Sequence, residues 1–309
     1  RAHSMAFWWL EHATEEVTDV GGVIWFEHVN IVAGNREQAE AFYFGGLGLT
    51  RDPARAHGRT FWANLGKQQF HVEGVSEEPP QAVNGYIGLA LPSVEDTLRR
   101  LRNVESLLAG TMFQIQEGEA GQPPVVVCPW GNHFVLLKAK SETPFGHPDG
   151  PGIRFVAFRV NSGHADKIAQ FYSETYATPT SSKLGGESRA STVVVSPCSR
   201  FVFFEEQSPP ERVQAQKGLH VAIYVAPFTS TFEKLHARSL VRSNPRFTHI
   251  DRCDTREEAL ASRQYRFYHM IDLDTGAELY ELEHETRSLS HPSFMRALHN
   301  QPPAPLARK

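Results

Sequence analysis

Four side chains that can bind a transition metal stand at matching places in two distant parts of the chain. His28 and His220 each open a β-like tetrapeptide, His-Val-Asn-Ile and His-Val-Ala-Ile. A second donor ends each segment, His71 in the first and Glu281 in the second, and each follows a glycine by five positions (71 − 66 = 5 and 281 − 276 = 5). Imidazole and carboxylate donors suit Zn, Ni, Co, Mn or Fe(II). The pattern predicts one divalent transition-metal ion bound by all four residues.

Strand alternation indicates which polar side chains share a cleft with that ion. Asn30, Gln69 and Glu73 each lie two residues from a predicted ligand and therefore point to the same face of their strands. We expect them to bind substrate or to orient a ligand imidazole. His269, in the strand beside Glu281, is a further substrate-binding candidate, and a surface or capping role is its alternative.

Bulk properties limit the classes of partner. At 309 residues, 40% hydrophobic and 21% charged, the chain is long enough for two soluble domains with a large core. A formal charge of −4 argues against a nucleic-acid partner, and no apolar run approaches the roughly 20 residues that span a bilayer. We expect a small-molecule substrate and no nucleic-acid or membrane partner, and the sequence leaves the oligomeric state open.

The cysteines bear on the compartment. Cys128, Cys198 and Cys253 lie far apart without a CxxC spacing, which favours a reducing compartment over a disulfide framework or a zinc knuckle. We expect residence in the cytoplasm or, after removal of a targeting peptide, in an organelle.

The elements that must position the donors repeat four times. Each repeat opens with a strand-like run, at residues 26–32, 86–91, 155–160 and 219–225. An amphipathic helical stretch follows each run, at residues 35–44, 93–101, 165–176 and 229–235, and two or three predicted strands come next. The helices of the first and third units share a Phe-Tyr pair, and those of the second and fourth share the spacing of their apolar residues. The chain is therefore interpreted as a duplicated module of two units.

A Pro- and Gly-rich stretch at residues 141–152 predicts the boundary between the modules. We expect a tail with a short helix at 1–20, a first module at 21–140, a second at 152–285 and a C-terminal tail at 286–309. The stretch 252–264 is longer than the corresponding loop of the other units and begins with a helix N-cap pattern. It is either a lid over the cleft or a surface insertion.

Four βαβββ units, with His at a first strand and Glu at a last strand, resemble the vicinal oxygen chelate superfamily. That superfamily includes glyoxalase I, methylmalonyl-CoA epimerase, fosfomycin-resistance enzymes and extradiol dioxygenases. The resemblance covers residues 22–140 and 152–285. It implies an α+β fold in which the four units pair into two half-open β-barrels, with a divalent cation on a concave face. The implied ligand positions are the first and last strands of each unit.

Only units one and four carry metal donors at those positions. The first-strand residues are His28, Tyr86, Phe155 and His220, and the last-strand residues are His71, Leu136, Phe204 and Glu281. This sorting predicts that unit one pairs with unit four around the metal, while unit two pairs with unit three around a packed, metal-free centre. The turn before Glu281 is one residue longer than the resemblance implies. Glu283 shares the face of Glu281 and is the alternative ligand.

The predicted site favours one chemistry and leaves two alternatives. Four ligands leave two positions on a six-coordinate ion, which suits bidentate binding of neighbouring substrate oxygens and proton abstraction by Glu281 as catalytic base. The leading hypothesis is a glyoxalase- or epimerase-like lyase or isomerase acting on a small oxygenated metabolite. If His71 is not a ligand, the two remaining His and one carboxylate favour an Fe(II) dioxygenase. The third hypothesis is a small-molecule-binding protein without turnover.

Overall fold

A computed structural model describes residues 7–55, 57–74, 78–118, 121–141, 149–206 and 219–301. Within these ranges, fifteen strands form two mixed sheets of seven and eight strands, and helices pack against them. The predicted α+β class and the fourfold repetition are confirmed. Each helix in these ranges is too short or too polar to traverse a bilayer.

The strands follow the predicted repeats. Unit one contains β1 (Val23–Val32), β2 (Thr50–Arg51), β3 (Thr60–Leu65) and β4 (Gln68–Glu73). Unit two contains β5 (Gly85–Leu91), β6 (Gln114–Gln116), β7 (Val125–Val127) and β8 (His133–Lys138). Unit three contains β9 (Gly152–Val160), β10 (Thr180–Gly185), β11 (Ser188–Ser196) and β12 (Ser199–Glu205). Unit four contains β13 (His220–Val225), β14 (Gln264–Ile271) and β15 (Glu278–Ser288).

One helix follows the first strand of each unit, as predicted. These four helices are α2 (Arg36–Glu40), α3 (Val94–Val104), α4 (Ala165–Tyr176) and α5 (Phe228–His236). Two further helices are α1 (Leu10–Ala13), which precedes β1, and α6 (Arg256–Ser262), which precedes β14. A π-helical segment, Ala41–Gly46, continues α2 and buries the predicted Phe42-Tyr43 pair. Helix α4 has the predicted bounds and buries the matching pair of unit three. Both pairs belong to the main core, which lies between the helices and the sheets.

The sheet order joins units from opposite halves of the chain. One sheet has the order β14-β15-β13-β1-β4-β3-β2 and the other has the order β10-β11-β12-β9-β5-β8-β7-β6. Strand β1 pairs antiparallel with β13, and β5 pairs antiparallel with β9. The predicted pairing of unit one with unit four, and of unit two with unit three, is therefore confirmed. The module boundaries stay predictions, and residues 142–148 of the predicted linker lie outside the described residues.

The N-terminal segment covers the face of the second sheet that carries Tyr86 and Phe155. Trp9 stacks on Phe204 with ring centroids 5.4 Å apart and meets the Phe155 ring edge-on at 5.2 Å. These rings form a separate apolar cluster, as expected for a packed centre without metal donors. One position needs correction. Leu136 lies in the main core and Val135 faces this cluster, because successive strand residues point to opposite faces.

Unit four departs from the βαβββ pattern. The first of its three expected strands is reduced to a single bridge between Val241 and Phe267, and residues 242–263 follow it before β14. Strand β15 continues to Ser288, three residues into the predicted C-terminal tail. The tail then reaches unit one, where the Gln301 backbone N–H donates to the Thr50 hydroxyl at 2.9 Å. Residues 302–309 lie outside the described ranges.

Candidate metal centre

The pairing of β1 with β13 brings His28 and His220 together. His28 lies opposite Ala222, and His220 lies opposite Asn30. The Nε2 atoms of the two histidines are 3.3 Å apart, although the residues are 192 positions apart in sequence. Both side chains are buried. The two predicted ligands with the strongest repeat pattern therefore converge on one point.

The carboxylate at this point is Glu285 and not Glu281. Glu285 Oε2 lies 3.3 Å from His220 Nε2, and donor atoms of His28, His220 and Glu285 all lie within 4.8 Å of one another. Glu281 lies opposite His269 near the turn of the β14–β15 hairpin, where both group with Glu278. The carboxylate grouped with the two histidines is therefore Glu285 in place of the predicted Glu281, and His269 also lies outside this group.

Strand register explains this difference. Strand β4 runs parallel to β1, and the residue opposite His28 precedes His71 by two positions. Strand β15 runs parallel to β13, and the residue opposite His220 precedes Glu285 by two positions. His71 and Glu285 are therefore equivalent. The β14–β15 hairpin places its glycine four residues further away (285 − 276 = 9 against 71 − 66 = 5). Counting from the glycine therefore selects Glu281 in place of Glu285.

Glu283, the alternative ligand, has other partners. Both of its carboxylate oxygens accept a hydrogen bond from Asn244 Nδ2 at 2.9 Å, and Oε1 accepts from Arg266 at 2.8 Å. Arg266 also donates to Glu285 Oε2 and to Asp251 Oδ2, each at 2.8 Å. Glu283 is thus part of a buried charge network around the histidines, not one of the grouped donors.

His71 lies beside the group. Its ring stacks on His28 at 3.6 Å and on Trp62 at 4.3 Å. Its Nε2 is 3.1 Å from Gln69 Oε1. Because an amide oxygen only accepts, Nε2 carries the proton in this orientation, and His71 is not among the grouped donors. Gln69, predicted to face the cleft, is itself held by donation to Asp52 Oδ2 at 2.9 Å.

Glu27 fixes the orientation of His28. The Nδ1 of His28 lies 3.0 Å from Glu27 Oε2, so Nδ1–H donates and the Nε2 lone pair points towards His220. Glu27 and His28 are sequence neighbours, and the side chains of sequence neighbours point to opposite faces of a regular strand. The register of β1 against β13 is irregular between Phe26 and His28, where this contact forms. Burial lowers the pKa of His28 well below its ordinary value, and the imidazole is neutral near pH 7.

Arg287 connects the two acids of the site. It forms buried ion pairs with both Glu27 and Glu285, and the Tyr224 hydroxyl donates to Glu27 Oε1 at 2.7 Å. Burial by itself would raise the pKa of Glu285, but the Arg266 and Arg287 guanidiniums outweigh it and hold that pKa well below its ordinary value. Glu285 is therefore ionised at neutral pH and a weak base.

The donor set fits a divalent transition-metal ion. Two ligand atoms that each lie about 2.1 Å from one ion at ordinary angles are roughly 3.0–3.4 Å apart, and both 3.3 Å separations agree with this. In the part of the chain that the structure describes, four buried carboxylates surround two buried guanidiniums in this network: Glu27, Asp251, Glu283 and Glu285 with Arg266 and Arg287. A divalent cation would balance the two remaining formal negative charges.

The segment before α6 also contacts the site. The Phe247 ring lies 6.0 Å from the His220 ring, and the Arg266 guanidinium lies 4.6 Å from the Phe247 ring centre. Helix α6 begins with the predicted cap, because Thr255 and Glu258 form a capping box. The stretch predicted to be a lid or a surface insertion therefore contains the predicted helix, while Phe247, just before that stretch, lies against His220.

The remaining predicted residues lie along the same strands. Asn30 is buried and lies opposite both His220 and His71 in its sheet. Glu73 is buried and forms ion pairs with Arg59 at 3.3 Å and with Arg246. Their roles in substrate binding stay predictions.

Sequence reasoning did not identify several residues of the charge network. These are Glu27, Asp251, Arg266, Glu285 and Arg287. The one signal that points to Glu285 is the alternation of Glu at 281, 283 and 285, which places three acids on one strand face.

The paired βαβββ units have the fold of glyoxalase I. Glyoxalase I from Zea mays matches with a TM-score of 0.56 at 12% identity, over 85% of this chain and 92% of its own. A variant of that enzyme matches with a TM-score of 0.57 at 14% identity, over 89% and 95%. A Bacillus subtilis protein proposed to be a dioxygenase gives 0.52 at 13% identity, over 89% and 88%. No protein-family model and no curated protein matches the sequence.

Proposed function

We propose that this protein is a metal-dependent enzyme in which His28, His220 and Glu285 bind Fe(II), and that it is a dioxygenase of a small oxygenated compound. The group of two imidazoles and one carboxylate carries this proposal. Three protein ligands leave three positions on a six-coordinate ion, and this set is typical of non-haem Fe(II) oxygenases. The fold it shares with a proposed dioxygenase is consistent with that reaction class.

The chain's own residues would position the reaction. An Fe(II) ion bound there would supply the binding and activation of O₂ next to a chelating substrate. Glu27 keeps the Nε2 lone pair of His28 directed at the ion, and Arg287 holds Glu27 and Glu285 in place. The His71 ring is stacked between the rings of His28 and Trp62, and this packing supports the position of His28.

The same contacts weaken the lyase or isomerase hypothesis. Its predicted base, Glu281, lies near the hairpin turn and outside the histidine group. Glu285 is in the group, but its lowered pKa makes it a poor acceptor for a proton next to a carbonyl. The grouped donors therefore include no carboxylate that is suitable as a base for proton abstraction. The proposed oxygenase reaction needs its carboxylate only as a metal ligand.

One observation keeps that reaction as a second candidate. His71 is register-equivalent to Glu285, and its ring stacks directly on His28. Rotation of His71 away from Gln69, with loss of the Nε2 proton, would supply a fourth ligand as originally predicted. A four-ligand ion with two open positions would then favour a lyase or isomerase.

Metal reconstitution and oxygen consumption test the proposal. We expect one Fe(II) per chain, a loss of metal affinity of about 100-fold or more in Glu285→Gln, and no change in the control Glu281→Gln. Oxygen uptake with catechols or 2-oxo acids would support the dioxygenase. Unchanged metal binding in His71→Ala would support the three-ligand site.

Other outcomes would overturn parts of the proposal. Loss of the metal in His71→Ala together with turnover of hemithioacetals would establish the second candidate. Failure to bind any of Zn, Ni, Co, Mn or Fe(II) at one ion per chain would leave only a binding protein without metal chemistry.

A further inference from the structure

A cavity of about 250 Å³ lies where the N-terminal segment meets the second sheet. Its wall includes Thr14, Lys138, Lys140, Arg154 and Cys198. None of the three grouped metal donors lines it. Any function of this cavity is therefore separate from the proposed metal chemistry.

Arg154 leaves a buried donor without an acceptor in this wall. Its side chain is only 9% exposed, and one guanidinium nitrogen, Nη2, donates to the Gly150 carbonyl oxygen. The other terminal nitrogen, Nη1, is buried and has no hydrogen-bond partner among the described residues. A buried unpaired donor is costly, and one on a charged group is matched best by an anionic oxygen. Arg154 thus points to an anionic ligand.

Cys198 stands in the same wall, in the turn between β11 and β12. It is partly exposed, whereas the other two cysteines, Cys128 and Cys253, are buried. Arg154 and Arg200 are both close enough to interact electrostatically with its sulfur. The Arg200 side chain donates to backbone carbonyls of Ser196 at 3.1 Å and Ser199 at 2.9 Å, which leaves its charge unneutralised by those contacts. The two guanidiniums therefore give the wall around Cys198 a positive charge that attracts an anionic reagent.

Two of the three acids in this cavity wall, Asp149 and Glu15, have partners of their own. Asp149 lies 3.7 Å from the Lys140 ammonium, and Glu15 accepts from His12 at 3.2 Å. These contacts neutralise part of the negative charge at the wall. Asp149 also interacts electrostatically with Arg154, but the Nη1 atom of Arg154, which has no partner among the described residues, stays available to an anion that reaches the thiol.

We propose that Cys198 is a thiolation site for small anionic disulfides, with Arg154 binding the carboxylate of the reagent. The Cys198 thiol releases its proton to solvent, and the thiolate attacks one sulfur of the disulfide RS–SR. A new Cys198–SR bond forms as the old S–S bond breaks, and the thiolate RS⁻ leaves and takes up a proton. The disulfide is the oxidant, and Cys198 is oxidised as one RS⁻ is released.

Paired thiol reagents test this proposal on the full-length protein. One reagent is the dicarboxylate disulfide 5,5′-dithiobis(2-nitrobenzoate), and the other is the uncharged 2,2′-dithiodipyridine. We expect the native protein to react at Cys198, identified by peptide mass, and not to react in Cys198→Ser. The ratio of anionic to neutral rates should fall about tenfold in Arg154→Gln. It should not change in Arg99→Gln, which alters an exposed α3 arginine outside the cavity wall.

Two outcomes overturn the proposal: modification at Cys128 or Cys253 instead of Cys198, or an equal rate ratio in Arg154→Gln and the wild type. If Arg154→Gln does not fold, the salt dependence of the two wild-type reaction rates tests the proposal instead. The anionic reagent should slow as NaCl rises from about 0.05 to about 0.5 M, while the neutral reagent does not. No difference between the two reagents in that titration also overturns it.

Discussion

At the residue scale, the proposed metal centre depends on which nitrogen of each imidazole carries a proton. Glu27 accepts from Nδ1 of His28 and so leaves Nε2 free, whereas Gln69 accepts from Nε2 of His71 and so occupies it. Two histidines that stack on each other at 3.6 Å therefore present opposite chemistry to a cation. In the proposed site, the acceptor beside each ring therefore distinguishes His28 from His71.

We predict that Glu27→Gln weakens metal binding. The amide oxygen can still accept from His28, but the negative charge that makes the imidazole a stronger ligand is lost, so affinity should fall about 10- to 100-fold. Titration of the metal-free protein with Co(II), followed by absorbance, measures the change. Tyr224→Phe is the control, because it removes a donor to Glu27 and keeps the carboxylate. Equal affinity in the wild type and Glu27→Gln would show that Glu27 does not act through His28.

At the element scale, periodicity predicted much of the architecture. The first strand of each unit, the helix after it and the bounds of α4 all agree with the sequence pattern. The acid of the site could not be placed in the same way. Its position depends on how far the β14–β15 hairpin extends beyond the sheet, and the sequence of the turn does not predict that length. The irregular register that brings Glu27 beside His28 is likewise a property of paired strands, not of one sequence segment.

The turn of this hairpin gives a prediction for pH dependence. Asp272 accepts from Lys167 Nζ at 2.5 Å and from the backbone N–H of Thr275 at 3.1 Å. The Lys167 ammonium, followed by the Thr275 N–H, lowers the pKa of Asp272 to about 2. A carboxyl whose pKa is lower in the folded state stabilises the fold above its unfolded value and loses that effect as the pH falls.

Asp272→Asn should therefore be less stable than the wild type at pH 7, and the difference should vanish as the pH falls from 4 towards 2. Urea unfolding midpoints of both proteins over this range measure it. Lys167→Met should show the same trend, because it removes the partner that lowers the pKa. A wild-type advantage that stays constant down to pH 2 would contradict the assignment.

At the scale of the whole molecule, the sorting of donors among the repeats predicted which units meet. Two duplicated modules could in principle pair their own units, β1 with β5 and β9 with β13. That arrangement would set the His28 position against the Tyr86 position and bury an imidazole without its partners, which is costly. The observed pairing of β1 with β13 places all grouped donors in one sheet and the aromatic positions in the other. Side-chain chemistry, more than chain order, thus distinguishes the two topologies.

Fragment complementation tests this dependence of the site on both halves. We predict that fragments 1–148 and 149–309, produced separately, each fail to bind metal with the affinity of the intact chain, because His28 lies in one and His220 and Glu285 in the other. Each fragment also lacks one strand of the central pair in each sheet, β13 and β9 for the first fragment and β1 and β5 for the second. Mixing or co-expressing them should restore a one-to-one complex with one ion. As a control, His220→Ala in the second fragment should allow association and abolish metal binding. Tight binding by either fragment alone would mean that the ion does not require donors from both halves.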